Sequence, residues 1–192
     1  MPKVIYLTGA PASGKSSAAK ALITQKPEIA VWTYGERLAA TVQARGGLEG
    51  GHSELRAKSA AIVTPEDVED TDRALLAFVQ EHRASQHVLI DSHPVTKEDY
   101  GFRVTPFSLA QFASLSPSEI WVLYATPQET LRRIAADPDG RPTITEEEAR
   151  MHTFVQSSVA TTYGASIRCP TYLFDASGSR EDLVAKMMGR LG

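Results

Sequence analysis

Residues 4–16 read Val4-Ile-Tyr-Leu-Thr-Gly9-Ala-Pro-Ala-Ser-Gly14-Lys15-Ser16. A short apolar run ends at Thr8-Gly9, small residues and one proline follow, and an alanine-rich stretch comes next. Length and β-branching make Val4 to Leu7 a buried strand. Ser16 to Ile23 reads as a helix stopped near Pro27. Between them Gly9, Ala10, Pro11, Ala12, Ser13, Gly14, Lys15 and Ser16 fit the pattern G-x-x-x-x-G-K-[ST], in the strand–loop–helix setting that the pattern requires. Glycines let successive backbone N–H groups close around phosphate oxygens, and the start of the helix adds positive potential. Lys15 is placed to reach a transferring phosphate and the Ser16 hydroxyl to hold Mg²⁺, with Ser17 completing an ATP-binding set. The bland alternative is a glycine-rich turn that binds nothing.

Outward from this loop, the chain alternates short apolar strands with helices. Strands are expected at 29–34, 87–91, 119–124 and 171–175. Helices are expected from Gly35 to about Ala44, over about 53–62 and 65–84, near 106–114, from Pro127, from Thr145 to about Tyr163 and over 179–191. Thr64-Pro65-Glu66-Asp67 opens one of them as a cap and first turn. Thr145 with Glu148 forms a capping box for another. Gly-Gly-Leu-Glu-Gly-Gly at 46–51 reads as a mobile loop, residues 92–105 as a polar loop, and Asp137 to Pro142 as a turn-rich loop. Such alternation indicates an α/β fold with a parallel sheet covered on both faces.

Length and composition set the remaining bounds. The 192 residues make one domain, 1–192. Hydrophobic content of 42% and charged content of 22% are ordinary for a globular chain. Cys169 is the one cysteine, so no internal disulfide or cysteine zinc cluster can form, and with five scattered histidines a structural metal site is not expected. A net charge of −3 offers no general field for nucleic acid. No apolar run reaches membrane-spanning length. The N-terminus is too short for a signal peptide before the loop begins, which points to a cytoplasmic location.

A second half of the phosphate site is expected at the end of a neighbouring strand. Asp91 closes Val88-Leu-Ile-Asp91, the shape of a Walker B strand whose carboxylate reaches Mg²⁺ directly or through water. Ser92-His93 follows, not a glutamate that could activate water, which argues against a dedicated ATPase. A kinase instead needs cations to neutralise the transferring group and hold the acceptor. Arg56, Arg132, Arg133 and Arg141 are the candidates. Arginines on both sides of the 137–142 loop suit a small lid that excludes water. His93, two residues past Asp91, is a candidate for contact with the acceptor. Trp32, Trp121 and Phe174 read as core.

At this point the sequence resembles the archaeal-type adenylate kinases and, more distantly, the small nuclear adenylate kinases. The phosphate loop matches. Trp32-Thr-Tyr34-Gly35-Glu36 is similar to the segment opening the family's acceptor region. Glu54-Leu-Arg56 resembles its phosphate-gripping arginine, and Val88-Leu-Ile-Asp-Ser-His93 its Asp-x-His strand end. Tyr100-Gly-Phe with Pro106, Leu131-Arg132-Arg133-Ile134, Asp139-Gly-Arg141 and Tyr163-Gly164 resemble later segments. The resemblance implies a three-layer P-loop NTPase fold with a five-stranded parallel sheet of nucleoside-monophosphate-kinase topology, an acceptor insert at about 35–65 and a short lid at about 137–143. It implies Mg-ATP and AMP as substrates, giving two ADP. Lys15, Asp91, Arg132, Arg133 and Arg141 would be catalytic. Tyr34, Gly35, Arg56 and His93 would hold the acceptor, Ser16 and Asp91 the metal. The turn Asp175 to Ser179 would lie against the ATP base. The 46–51 glycines and Thr96-Lys-Glu-Asp99 have no counterpart in the family.

The leading expectation is therefore a nucleoside-monophosphate kinase acting on AMP, with no nucleic-acid or membrane partner and an open oligomeric state. One alternative is a P-loop kinase for a small hydroxylated metabolite or antibiotic, with Asp91 or His93 as base. Another is a nucleotide-dependent switch or assembly factor with weak ATPase activity.

Overall fold

A computed structural model describes residues 1–47, 62–137 and 142–192. The expected helix at 53–62, Arg56 and Arg141 lie outside the described residues or at their margin.

Five strands form one parallel sheet: β1 (Val4–Gly9), β2 (Ala30–Thr33), β3 (Val88–Asp91), β6 (Glu119–Tyr124) and β7 (Thr171–Asp175), in the spatial order β2-β3-β1-β6-β7. The register pairs Leu7 of β1 with Asp91 of β3 and with Trp121 of β6. Alternation along the strands separates two cores, because successive side chains leave opposite faces. Val4, Tyr6, Val88, Ile90, Ile120 and Val122 point into one. Ile5, Leu7, Leu89, Trp121 and Leu123 point into the other. Both faces are apolar, so both must be covered by helices.

On one face lie α1 (Lys15–Gln25) and α7 (Arg180–Leu191), which contribute Leu22 and Met187. On the other lie α3 (Pro65–His82), α4 (Leu109–Leu115) and α6 (Glu146–Ile167), which contribute Leu75, Phe112 and Tyr163. The Phe112 and Tyr163 rings stack at 4.0 Å. Two further helices, α2 (Tyr34–Ala44) and α5 (Pro127–Ala135), follow β2 and β6 directly. The result is the three-layer P-loop α/β fold. Trp32 and Trp121 are core as expected, while Phe174 is half-buried against Trp121.

Local signals hold at the helix starts. Thr145 and Glu148 bond each other's backbone N–H groups, and Thr64 and Asp67 do the same at α3. The pair Ser108 and Gln111 caps α4, which therefore begins at Leu109, later than expected. Asp67 also receives Arg45 in two hydrogen bonds of 2.6 and 2.7 Å, locking α2 to α3.

The segment 92–105 corrects the sequence reading. It is not simply a polar loop: β4 (Val95–Glu98) and β5 (Gly101–Val104) pair antiparallel around Asp99-Tyr100. Val95, Thr96, Phe102 and Val104 are β-formers on either side of a two-residue turn. The charges at Lys97, Glu98 and Arg103 masked the pattern; they pair with one another and with α6 rather than facing water alone.

Candidate active site

The loop after β1 is shaped by close approach. A Cβ on Gly9 would sit 2.3 Å from the Leu123 carbonyl and 2.7 Å from Ser13 Oγ, so only glycine lets the loop lie against β6. Gly14 caps α1 at φ 91°, in the left-handed region that a side chain would strain. Ala12 takes φ 61° at the crest of the loop. Among the described residues, no side chain caps α1. Its first N–H groups are thus left for an anion, and the helix dipole favours one there.

Because β1 pairs directly with β3, Asp91 arrives beside this loop. Its Oδ1 lies 3.5 Å from Lys15 Nζ, both side chains being nearly buried. Among the described residues, Asp91 Oδ1 has no hydrogen-bond partner. Lys15 gives that oxygen a nearby charge but no hydrogen bond, so the buried carboxylate keeps lone pairs open to a further donor, and Asp91 with the exposed Ser16 hydroxyl suits a hydrated divalent metal. Thr8, at the root of the loop, accepts a 2.6 Å hydrogen bond from Gln156 of α6.

The two adjacent arginines of α5 separate. Arg132 is 69% exposed and pairs with Glu129 on its own helix. Arg133 also meets Glu129, but it goes on to donate to the Ala12 carbonyl at 3.1 Å and the Ala176 carbonyl at 2.5 Å. It therefore joins the crest of the phosphate loop to the turn after β7, where the ATP base was expected. These two arginines hold Glu129 at about 2, the Arg132 hydrogen bonds being the larger influence.

Past Asp91, a cavity of about 160 Å³ opens between the ends of β2 and β3 and the hairpin. Tyr34 and Gly35 at the start of α2 and His93 just after β3 all line it. Three residues that local sequence did not single out join them: Asp72 from α3 and Thr96 and Arg103 from the hairpin. The Tyr34 hydroxyl donates to Asp72 Oδ1 at 2.6 Å. Burial pushes the Tyr34 phenol up, and Asp72 adds to this. Burial raises the Asp72 carboxyl as well, partly offset by the Tyr34 hydroxyl. Arg103 donates from Nε to Glu98 at 2.9 Å. Leu38, Val68, Pro94 and Phe107 supply apolar walls. The hairpin's Asp-Tyr-Gly turn could have revealed its strands, whereas Asp72 resembles any solvated acid on a helix.

In chemical terms, the site sets a cationic anion-binding loop and an unsatisfied carboxylate beside a cavity of mixed hydroxyl, carboxylate, cationic and aromatic character. A family model described as an AAA domain matches residues 8–150. No curated protein matches the sequence. Among solved structures, the chain is similar to the tunicamycin resistance protein of Deinococcus radiodurans, at 16% identity and TM-score 0.57, over 100% of this chain and 96% of that one. It is also similar to a sugar kinase from a Janibacter species, at 11% identity and TM-score 0.55, over 98% and 94%. At such identities the likeness is one of fold alone. The matched span holds the phosphate loop, Asp91, the hairpin and α5 together, and with that match over most of its length the chain belongs to the AAA domain family.

Proposed function

We propose that this chain transfers the γ-phosphoryl group of Mg-ATP to a small acceptor seated in the Tyr34–His93 cavity. The observation that carries the reading is the convergence of Tyr34, Gly35 and His93 on one cavity next to the Lys15–Asp91 pair. Backbone N–H groups of the loop and the Lys15 ammonium would hold the β- and γ-phosphates and stabilise charge spread over the transferring group. Ser16 and Asp91 would hold Mg²⁺, which when bound neutralises phosphate charge. Phosphates entering the loop would draw Lys15 away from Asp91 and leave the carboxylate to the metal. Arg133 would brace the loop against the base-side turn, and Arg132 and Arg141 would serve the transferring group as the resemblance implies.

The resemblance makes AMP the first acceptor to test, with Arg56 gripping its phosphate. A second reading, a hydroxyl-bearing metabolite or antibiotic, draws on the carboxylate and hydroxyl lining of the cavity. Asp72 offers a carboxylate to O–H or N–H donors of an acceptor, and Asp91 or His93 could take the hydroxyl proton. An assay of ADP release with Mg-ATP, run over nucleoside monophosphates in one arm and sugars and nucleoside antibiotics in the other, separates the two. ATP binding without acceptor-dependent turnover at millimolar concentrations in either arm would sink both and leave the nucleotide-dependent switch.

A further inference from the structure

Two short strands joined by a tight turn are marginal on their own, so the place of the β4–β5 hairpin depends on what it docks against. Neither strand joins the main sheet. One face of α6 supplies the docking. His152 is 3% exposed, and its Nε2–H donates to the Val95 carbonyl at 3.1 Å. That carbonyl can only accept, so Nε2 must carry the proton. The His152 ring also meets the Phe102 ring of β5 edge-on at 5.0 Å. One turn earlier, Glu148 pairs with Lys97 of β4 at 3.3 Å. One turn later, Gln156 reaches Thr8 at the root of the phosphate loop. Positions 148, 152 and 156 thus form a single helical stripe that fixes the hairpin relative to that loop.

We propose that His152 is a positioning residue: by holding the hairpin on α6, it sets Thr96 and Arg103 as one wall of the acceptor cavity, at a fixed place relative to the phosphate loop. The role rests on the reading that the cavity receives the acceptor. His152 itself does not line the cavity, and acts through the Val95 carbonyl and the Phe102 ring. A glutamine can present an N–H donor in nearly the same place, whereas a leucine leaves the Val95 carbonyl buried without one.

The test compares His152→Leu, His152→Gln and Lys97→Ala with the parent chain, using the acceptor that the panel above identifies, AMP being the first tried. His152→Leu should raise the acceptor KM about tenfold or more, with the ATP KM and kcat within about twofold. His152→Gln should bring the acceptor KM back to within about threefold of the parent. Lys97→Ala, a half-exposed side chain whose loss leaves the core intact, should raise the same KM by about two- to threefold. An unchanged acceptor KM in His152→Leu, an equal change in both KM values, or no recovery with glutamine would overturn the assignment. Amide hydrogen exchange gives a readout independent of turnover. Protection over 95–104 should fall in His152→Leu and return in His152→Gln, while protection over 9–16 stays. Equal hairpin protection in all three would overturn it as well. If the parent chain turns over no acceptor, the kinase reading falls, and the exchange pattern alone still decides whether His152 holds this wall.

Discussion

Arg132 and Arg133 are neighbours with the same charge, yet their surroundings give them different work. An exposed ion pair to a residue on the same helix contributes little to stability, which is the situation of Arg132. Arg133 is three-quarters covered and bridges two backbone carbonyls, one in the loop after β1 and one in the turn after β7. Hydrogen bonds from a charged donor are worth about 1.5–3 kcal/mol each. Arg133→Ala should therefore raise the ATP KM about tenfold or more, while Arg132→Ala stays within about threefold; nucleotide titration of both variants checks this. Asp91→Asn removes the charge that suits a divalent metal and should lower acceptor-dependent turnover about 100-fold or more, with the melting temperature little changed. A turnover unaffected by Asp91→Asn would remove Asp91 from the site. At this scale the sequence was most legible where chemistry is local. Lys15 and Ser16 stand out as candidates by spacing alone, and Asp91 by its place at a strand end. Asp72, His152 and Gln156 were not legible, because each is an ordinary helical residue until the fold sets its partner opposite it.

At the scale of elements, α6 organises the site from behind. It begins at a capping box that the sequence announces, and Thr145→Ala should cost about 1 kcal/mol of stability by denaturant melting. Its far end closes against β7. A Cβ on Gly164 would lie 2.3 Å from Thr171 Oγ1 and 2.8 Å from the Cys169 carbonyl. The threonine can turn away, but the backbone cannot. Gly164→Ala should thus destabilise the chain by about 1–3 kcal/mol, seen as a lower melting temperature with β7 exchanging fastest. The hairpin shows why element-level reading failed at 92–105. Its strands are four residues each, too short for a convincing alternation. Their charges are satisfied by tertiary partners, Glu98 taking Arg103 and Glu148 taking Lys97.

Across the whole molecule, Glu119 ties distant parts of the chain. It lies at the start of β6 and accepts from Lys3 before β1, Trp121 within β6 and Arg190 in α7. Burial alone would push its carboxyl up, but the hydrogen bonds from Arg190, Lys3 and Trp121 outweigh it and hold Glu119 at about 2, below its ordinary 4.5. Its contribution is then fully present above about pH 4.5 and is lost as pH falls toward 2. Glu119→Ala should cost about 1–3 kcal/mol at neutral pH, because Trp121 Nε1 and the partly exposed Lys3 and Arg190 lose their acceptor. The stability gap between parent and variant should close on acidification, measured by urea unfolding at several pH values. A gap that stays constant down to pH 2 would show that the carboxylate charge does not stabilise the fold. The sequence by itself determined the strand–loop–helix, the alternation of apolar strands with helices, and the caps, since these depend on residues within a few positions of one another. Only the tertiary structure decided the order of the strands, the hairpin, the Tyr34–Asp72 wall of the cavity and the different uses of two adjacent arginines. Those depend on residues tens of positions apart meeting across the sheet, and no local pattern encodes which buried polar group will find which partner.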